Sequence, residues 1–280
     1  MEPGLFLRIF EKMNAGLKKR IRKIIIAIAA IYIMGGTVLY FIQDSILFHP
    51  KPLPAGYKFS FEQPFEEINI SLKKSNLNIV KFPTKNRKGI VLFYHGNMEN
   101  VEHYKKYPPL FLRNRYEVWI IDYPGFGKTT GRPTEKIMEK QALLMYDIAS
   151  KKIKSDSIII YGKSLGTGVA SYAAANRPCK QLILETPYYS IPSLAKHYFP
   201  VYPVRTLIKY SFPVHDYLQK VQAPITIFHG TKDEAVPYKH SEWLKEENKN
   251  LELITIENGR HNNLSDFGLF RKKIDSLLIK

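Results

Sequence analysis

The chain is short of thiols and of acids. It has a single cysteine, Cys179. One thiol excludes an intramolecular disulfide, a cysteine zinc site and an acylated N-terminal lipoprotein cysteine. Cys179 lies in Arg177-Pro178-Cys179-Lys180, between a helical and a strand pattern, and reads as structural. Asp and Glu total 25 against 42 Lys and Arg, a formal net charge of +17. Such a balance favours an anionic neighbour: nucleic acid, an acidic membrane surface or an acidic substrate. No helix-turn-helix, zinc-finger or RRM-like pattern accompanies it, so no nucleic-acid partner is expected and a basic surface beside anionic lipid fits better. Internal repeats and low-complexity tracts are also missing. What is there is 280 residues, 45% hydrophobic, enough for one large domain with a buried core.

One stretch has no charge at all. Ile24 to Ile42 reads IIIAIAAIYIMGGTVLYFI. As a helix it spans about 28 Å, close to a bilayer core of about 30 Å. Tyr40 near its end suits the membrane interface. It is long for a signal-peptide core, and no clear A-x-A cleavage site follows. The basic cluster Arg8, Lys12, Lys18, Lys19, Arg20, Arg22 and Lys23 precedes it. Such a flank predicts a cytoplasmic N-terminus with the remaining chain across the membrane, on the periplasmic or extracytoplasmic side. The expected division is a basic N-terminus at 1–23, a transmembrane anchor at 24–43, an extended proline-rich linker at 44–60 and a catalytic domain at 61–280.

Beyond the linker, strands and helices alternate. Strand patterns cover 65–72, 77–82, 89–94, 117–121, 157–161, 181–185, 225–229 and 251–256. Helical patterns cover 102–114, bent at Pro108-Pro109, then 134–153, 167–176, 238–247 and 265–278. This alternation predicts an α/β fold whose mostly parallel, twisted sheet of about eight strands has helices on both faces. Chemistry in such sheets gathers at the carboxyl ends of the strands.

The residues after those strands carry a pattern. Gly162-Lys163-Ser164-Leu165-Gly166 lies between a strand and a helix. A G-x-S-x-G turn there exposes a serine hydroxyl above the sheet, and the flanking glycines allow close backbone approach. A serine needs a base. His261 lies in the turn-rich Asn258–Asn263 after the last strand and is the candidate. His95 and His229 each end a strand and precede glycine, which suggests packing; His49, His103, His197, His215 and His240 have no comparable setting. An acid must orient the base. Asp233 in HGTKDEAVP is the candidate, with neighbouring Glu234 easily mistaken for it and Glu185 as runner-up. The backbone N–H groups of Asn97 and Leu165 are the candidate oxyanion donors.

HGN (95–97), DYPGFGKTTGRPTE (122–135), GKSLGTG (162–168), HGTKDEAVP (229–237) and GRHNNL (259–264) together resemble the α/β-hydrolase superfamily. Within it the chain is similar to the membrane-anchored ABHD-type branch, which includes depalmitoylases and lysophospholipases. The resemblance covers roughly residues 45–280. It implies Ser164 as nucleophile, Asp233 as acid, His261 as base, backbone donors at Asn97 and Leu165, and no metal or organic cofactor. Asp122 is architectural in this family. The activity implied is cleavage of carboxylic esters or thioesters of acyl substrates by a two-step acyl-enzyme route. Segment 186–221, rich in Tyr, Phe and Pro, reads as a short cap over an apolar pocket, with Tyr188, Tyr189 and Phe199 as candidate substrate contacts. Lys196, Arg205 and Lys209 in it suit a phosphate or an anionic surface. Two other readings stay open: an aminopeptidase-like enzyme of the same fold, and a membrane-tethered binding protein without catalysis.

Overall fold

The computed structural model describes residues 14–72 and 75–279. Arg8 and Lys12 of the basic cluster lie outside them. The first element is a long helix, α1 (Ala15–Leu47), started by the Asn14 side chain, which accepts from the N–H of Leu17 at 2.8 Å. α1 is long and apolar enough to cross a membrane. Most of its apolar side chains are exposed, Ile24 to Ile33 and Phe41 among them.

The helix corrects the expected linker: 44–47 is helical, and extended chain begins only at Phe48. Polar Gln43 and Asp44 looked like an end because a helix in lipid tolerates few such groups. Here both face protein. Gln43 donates to the carbonyl of Leu207 at 3.3 Å and accepts from the N–H of Lys209 at 2.7 Å. Asp44 accepts from the Tyr210 hydroxyl at 3.0 Å.

The sheet has eight strands: β1 (Glu66–Leu72), β2 (Ser75–Phe82), β3 (Gly89–Tyr94), β4 (Tyr116–Ile121), β5 (Ile158–Lys163), β6 (Gln181–Glu185), β7 (Ile225–Gly230) and β8 (Leu251–Ile256). Their spatial order is β8-β7-β6-β5-β3-β4-β2-β1. β1 and β2 pair antiparallel, β2 joins β4 antiparallel, and every other pairing is parallel. Strands β3 to β7 are buried throughout, as their continuous apolar runs require.

Helices cover both faces. α2 (Pro108–Leu112) and α9 (Gly268–Ile279) close one side over Phe93, Tyr161 and Phe228. α3 (Glu135–Ser150) and α4 (Gly166–Asn176) close the other over Leu92, Ile160 and Leu182. The helix expected over 102–114 is instead a 3-10 turn, Val101–Tyr104, followed by the short α2. Pro108 and Pro109 lack the N–H groups needed to continue a preceding helix, but fit the first turn of a new one.

Between β6 and β7 the chain forms a cap of three short helices, α5 (Ile191–Tyr198), α6 (Val204–Leu207) and α7 (Val214–Leu218). A capping box of Ser190 and Ser193 starts α5. α8 (Lys239–Glu247) follows β7.

Candidate active site

The turn from β5 into α4 is sharp enough to force Ser164 to φ +50°, a left-handed conformation that non-glycine residues seldom adopt. It is held by its N–H, which donates to the carbonyl of Glu185 at 2.9 Å, and by its carbonyl, which accepts from Thr167 Oγ1 at 2.6 Å. The glycines on either side have steric reasons. A Cβ on Gly162 would stand 2.6 Å from the Cβ of Ala170, and one on Gly166 would stand 2.0 Å from the carbonyl oxygen of Tyr94.

His261 arrives from the loop after β8. Its Nε2 lies 2.9 Å from Ser164 Oγ, and its Nδ1 lies 2.8 and 3.0 Å from the carboxylate oxygens of Asp233. A carboxylate at Nδ1 assigns the proton there and leaves Nε2 free to accept from the serine hydroxyl. Asp233 follows β7, and its side chain is fully buried. It also accepts from the N–H groups of Ala235 at 2.9 Å and Val236 at 2.8 Å. Burial alone would raise its pKa. Hydrogen bonds from His229 and His261, and their charges, outweigh burial and hold the carboxyl well below the usual range.

His229 reads in the sequence as a packing residue, yet it touches Asp233. Its Nε2 lies 3.2 Å from Asp233 Oδ2 and 2.9 Å from the carbonyl of Val236, while Nδ1 lies 2.6 Å from Ser241 Oγ. Two acceptors around Nε2 place the proton on that nitrogen. His95 does pack, stacked against Tyr104. Glu234 is exposed; its carboxylate accepts from the backbone N–H of His261 at 3.5 Å and its carbonyl from the Tyr198 hydroxyl at 3.2 Å, and neither group meets the imidazole.

Glu185, the runner-up acid, does not reach the imidazole. Its buried carboxylate accepts from the Tyr107 hydroxyl at 2.9 Å, from the Tyr161 hydroxyl, and from Lys163 Nζ at 2.8 Å. Lys163 in turn donates to the backbone carbonyl of His261 at 2.9 Å. A buried ion pair therefore holds the histidine loop from beneath. The signal was present in the sequence: a lysine inside G-x-S-x-G and a glutamate end strands that proved to be neighbours.

Ser164, His261, Asn97 and Leu165 line one cavity of about 380 Å3, within the range of small-molecule sites. The N–H groups of Asn97 and Leu165 donate to no backbone carbonyl among the described residues. Asn97 is fixed by its carbonyl, which accepts from the N–H of His49 at 2.9 Å, and by Nδ2, which donates to the carbonyl of Leu47 at 3.1 Å.

The apolar walls come from the cap and, unexpectedly, from α1, which contributes Leu39, Gln43, Ile46 and Leu47. Tyr188 and Phe199 line the cavity. Tyr189 does not. Its ring stacks on His215 with centroids 4.1 Å apart, and its hydroxyl donates to Glu247 at 2.6 Å. The Tyr188 hydroxyl instead donates to the carbonyl of Leu165 at 3.2 Å, so only one of the two faces the site. Cys179 is far from any such role: burial pushes its thiol up to about 12, too high for a nucleophile at neutral pH.

Residues 89–206 match the family model for the alpha/beta hydrolase fold. The human Alpha/beta hydrolase domain-containing protein 17B is 30% identical over 193 residues, 68% of this chain and 66% of that protein, just under two thirds of its length. Its Xenopus tropicalis counterpart is 28% identical over the same extent. Among solved structures, Est1E from Butyrivibrio proteoclasticus with ferulic acid bound matches with a TM-score of 0.63 at 23% identity, covering 76% of this chain and 98% of that one. The Pyrococcus furiosus esterase PF2001 matches with a TM-score of 0.62 at 19% identity, covering 83% and 97%. With the strand order, the serine turn and these relatives in agreement, the chain belongs to the α/β-hydrolase superfamily, in its ABHD-type branch.

Proposed function

We propose that the protein is a membrane-anchored serine hydrolase that cleaves carboxylic ester or thioester bonds of acyl substrates at the membrane. The observation that carries this reading is the hydrogen-bonded series Ser164–His261–Asp233 at the floor of an apolar cavity. Ser164 Oγ attacks the acyl carbonyl as His261 Nε2 takes its proton. Asp233 keeps the ring in the required tautomer and stabilises the imidazolium. The N–H groups of Leu165 and Asn97 receive the oxyanion, each contributing about a hundredfold or more in rate. His261 then protonates the departing alcohol or thiol, and water releases the acyl group from Ser164 by the same path.

The aminopeptidase alternative needs acids to hold a free amine, and no Asp or Glu lines the cavity among the described residues. The non-catalytic alternative has no use for a strained serine aligned with a base. α1 supplies the anchor, with residues 1–23 on the cytoplasmic side and the catalytic domain opposite. A compartment-specific reporter at the C-terminus tests that topology, and activity only in the cytoplasmic form reverses it.

The central test is a fluorophosphonate probe on the membrane fraction. Wild type labels and Ser164→Ala does not. Labelling that persists in the variant removes Ser164 from the mechanism.

A further inference from the structure

An anchor that only tethers its domain would touch it at the last turn. α1 instead packs against the cap along about half its length. Tyr32 stacks on Tyr202 with ring centroids 4.8 Å apart, and its hydroxyl donates to the carbonyl of Val201 at 2.9 Å. Gly35 and Gly36 leave room for the same Tyr202 ring: a Cβ on Gly35 would stand 2.2 Å from its hydroxyl oxygen. Tyr32 lies about 15 Å along the helix from Ile42, the end of the charge-free run. Whatever layer surrounds the middle of that run therefore surrounds the cap turn as well.

The turn is built for such a layer. Tyr198-Phe199-Pro200-Val201-Tyr202-Pro203 has no charge, and Val201 is 70% exposed. Lipid offers no hydrogen bonds, so backbone groups must be satisfied within the protein. Pro200 and Pro203 have no N–H. The N–H groups of Phe199, Tyr202 and Val204 donate to Ala195, Phe199 and Tyr202, which leaves the Val201 N–H as the one donor of the turn without a protein partner among the described residues. The carbonyls of Pro200, Val201 and Pro203 accept from Lys196, Tyr32 and Thr206. Arg205 and Lys209 follow the turn, and long basic side chains can extend to an anionic headgroup layer while their stems stay in apolar surroundings.

The cavity above Ser164 is walled by Leu39, Ile46 and Leu47 of α1 and by Phe199, Tyr202 and Leu207 of the cap. We propose that the cap turn is inserted into the bilayer beside α1, and that the site draws its substrate sideways from the hydrocarbon layer through the seam between them. This rests on reading α1 as an anchor and Ser164 as nucleophile. It narrows the substrate to a long acyl chain already dissolved in the membrane.

Two measurements test it, both on the full chain in phosphatidylcholine–phosphatidylglycerol vesicles. In a Cys179→Ser background, Val201→Cys carries an environment-sensitive fluorophore, with Glu246→Cys as the water-side reference. Lipids bearing a nitroxide near the chain terminus quench position 201 strongly and leave 246 bright. Equal quenching at the two positions overturns insertion. Quenching needs no catalysis, so it separates a failure of insertion from a failure of Ser164, which the fluorophosphonate label reads. Second, Val201→Asp lowers hydrolysis of a vesicle-borne palmitoyl umbelliferyl ester by about tenfold or more, because a carboxylate is costly in hydrocarbon, while the soluble butyryl ester is unaffected. No change with either ester, or an equal loss of both, overturns the lateral route.

Discussion

The floor of the cavity and its roof enclose the same space, but they are held together differently. The floor consists of strand ends and tight turns in which backbone meets backbone. Gly166 allows no Cβ because the carbonyl of Tyr94 is there, and the Lys163–Glu185 pair beneath is almost wholly buried, at 5% and 0% side-chain exposure. In the roof, side chains of α1 and the cap make the contacts. Tyr202 covers Gly35, and Asp44 pairs with Arg132, which is 89% exposed. Backbone cannot yield without breaking the sheet, whereas a tyrosine can rotate. The difference suits the proposed hydrolase, whose site geometry stays fixed while its apolar wall adjusts.

Substitutions in matched pairs can break this comparison. The largest effect is expected at Asp233, the proposed acid. Asp233→Asn lowers kcat/KM by about 10^4-fold through the wrong imidazole tautomer. Glu185→Gln acts only through Lys163 and the His261 backbone, so its loss is about tenfold. Equal losses in a p-nitrophenyl ester assay would mean that the acid has been misassigned. Next come the ion pairs. Lys163→Met strands a buried carboxylate and costs about 3–5 kcal/mol in chemical denaturation. Asp44→Asn in the half-exposed roof pair costs less than about 1 kcal/mol.

The glycines give a smaller contrast. Gly166→Ala drives a methyl into backbone and costs about 3 kcal/mol, a fall of roughly 5–10 °C in Tm. Gly35→Ala meets the movable end of Tyr202 and shifts Tm by less than about 2 °C. Equal shifts would show the roof to be as rigid as the floor.

The smallest effect is on pH dependence. The folded pKa of Asp233 lies below its unfolded value, so the stability it contributes is fully present above about pH 4 and fades as pH falls through the unfolded value toward the folded one. The stability gap between wild type and Asp233→Asn therefore stays constant from pH 8 to about 5 and narrows in stronger acid. A gap that already narrows near neutrality would show that the carboxyl is not held ionised.

The sheet was readable because buried parallel strands are short apolar runs separated by amphipathic helices, and β3, β5 and β6 follow that rule. The serine turn was readable because its requirement is local: Gly162 and Gly166 flank one residue between a strand and a helix. His229 was missed because its contact with Asp233 depends on how the loop after β7 folds back, which no spacing reveals. Tyr189 stands beside Tyr188, and composition does not distinguish which of two adjacent aromatics faces the cavity. The end of α1 was set too early because Gln43 and Asp44 are polar, and nothing local told that Lys209 and Tyr210 would meet them.

By itself the sequence determined the strand-and-helix alternation, the strained turn at Ser164, the charge-free helix and the aromatic composition of the cap, since each is set by interactions within a few residues. Only the tertiary structure decided that the imidazole of His261 lies between Ser164 and Asp233, that Glu185 holds a lysine and not that histidine, and that α1 walls the cavity. Those are contacts between segments many tens of residues apart. They come from the order in which the strands pair and from which surfaces are left to bury against each other.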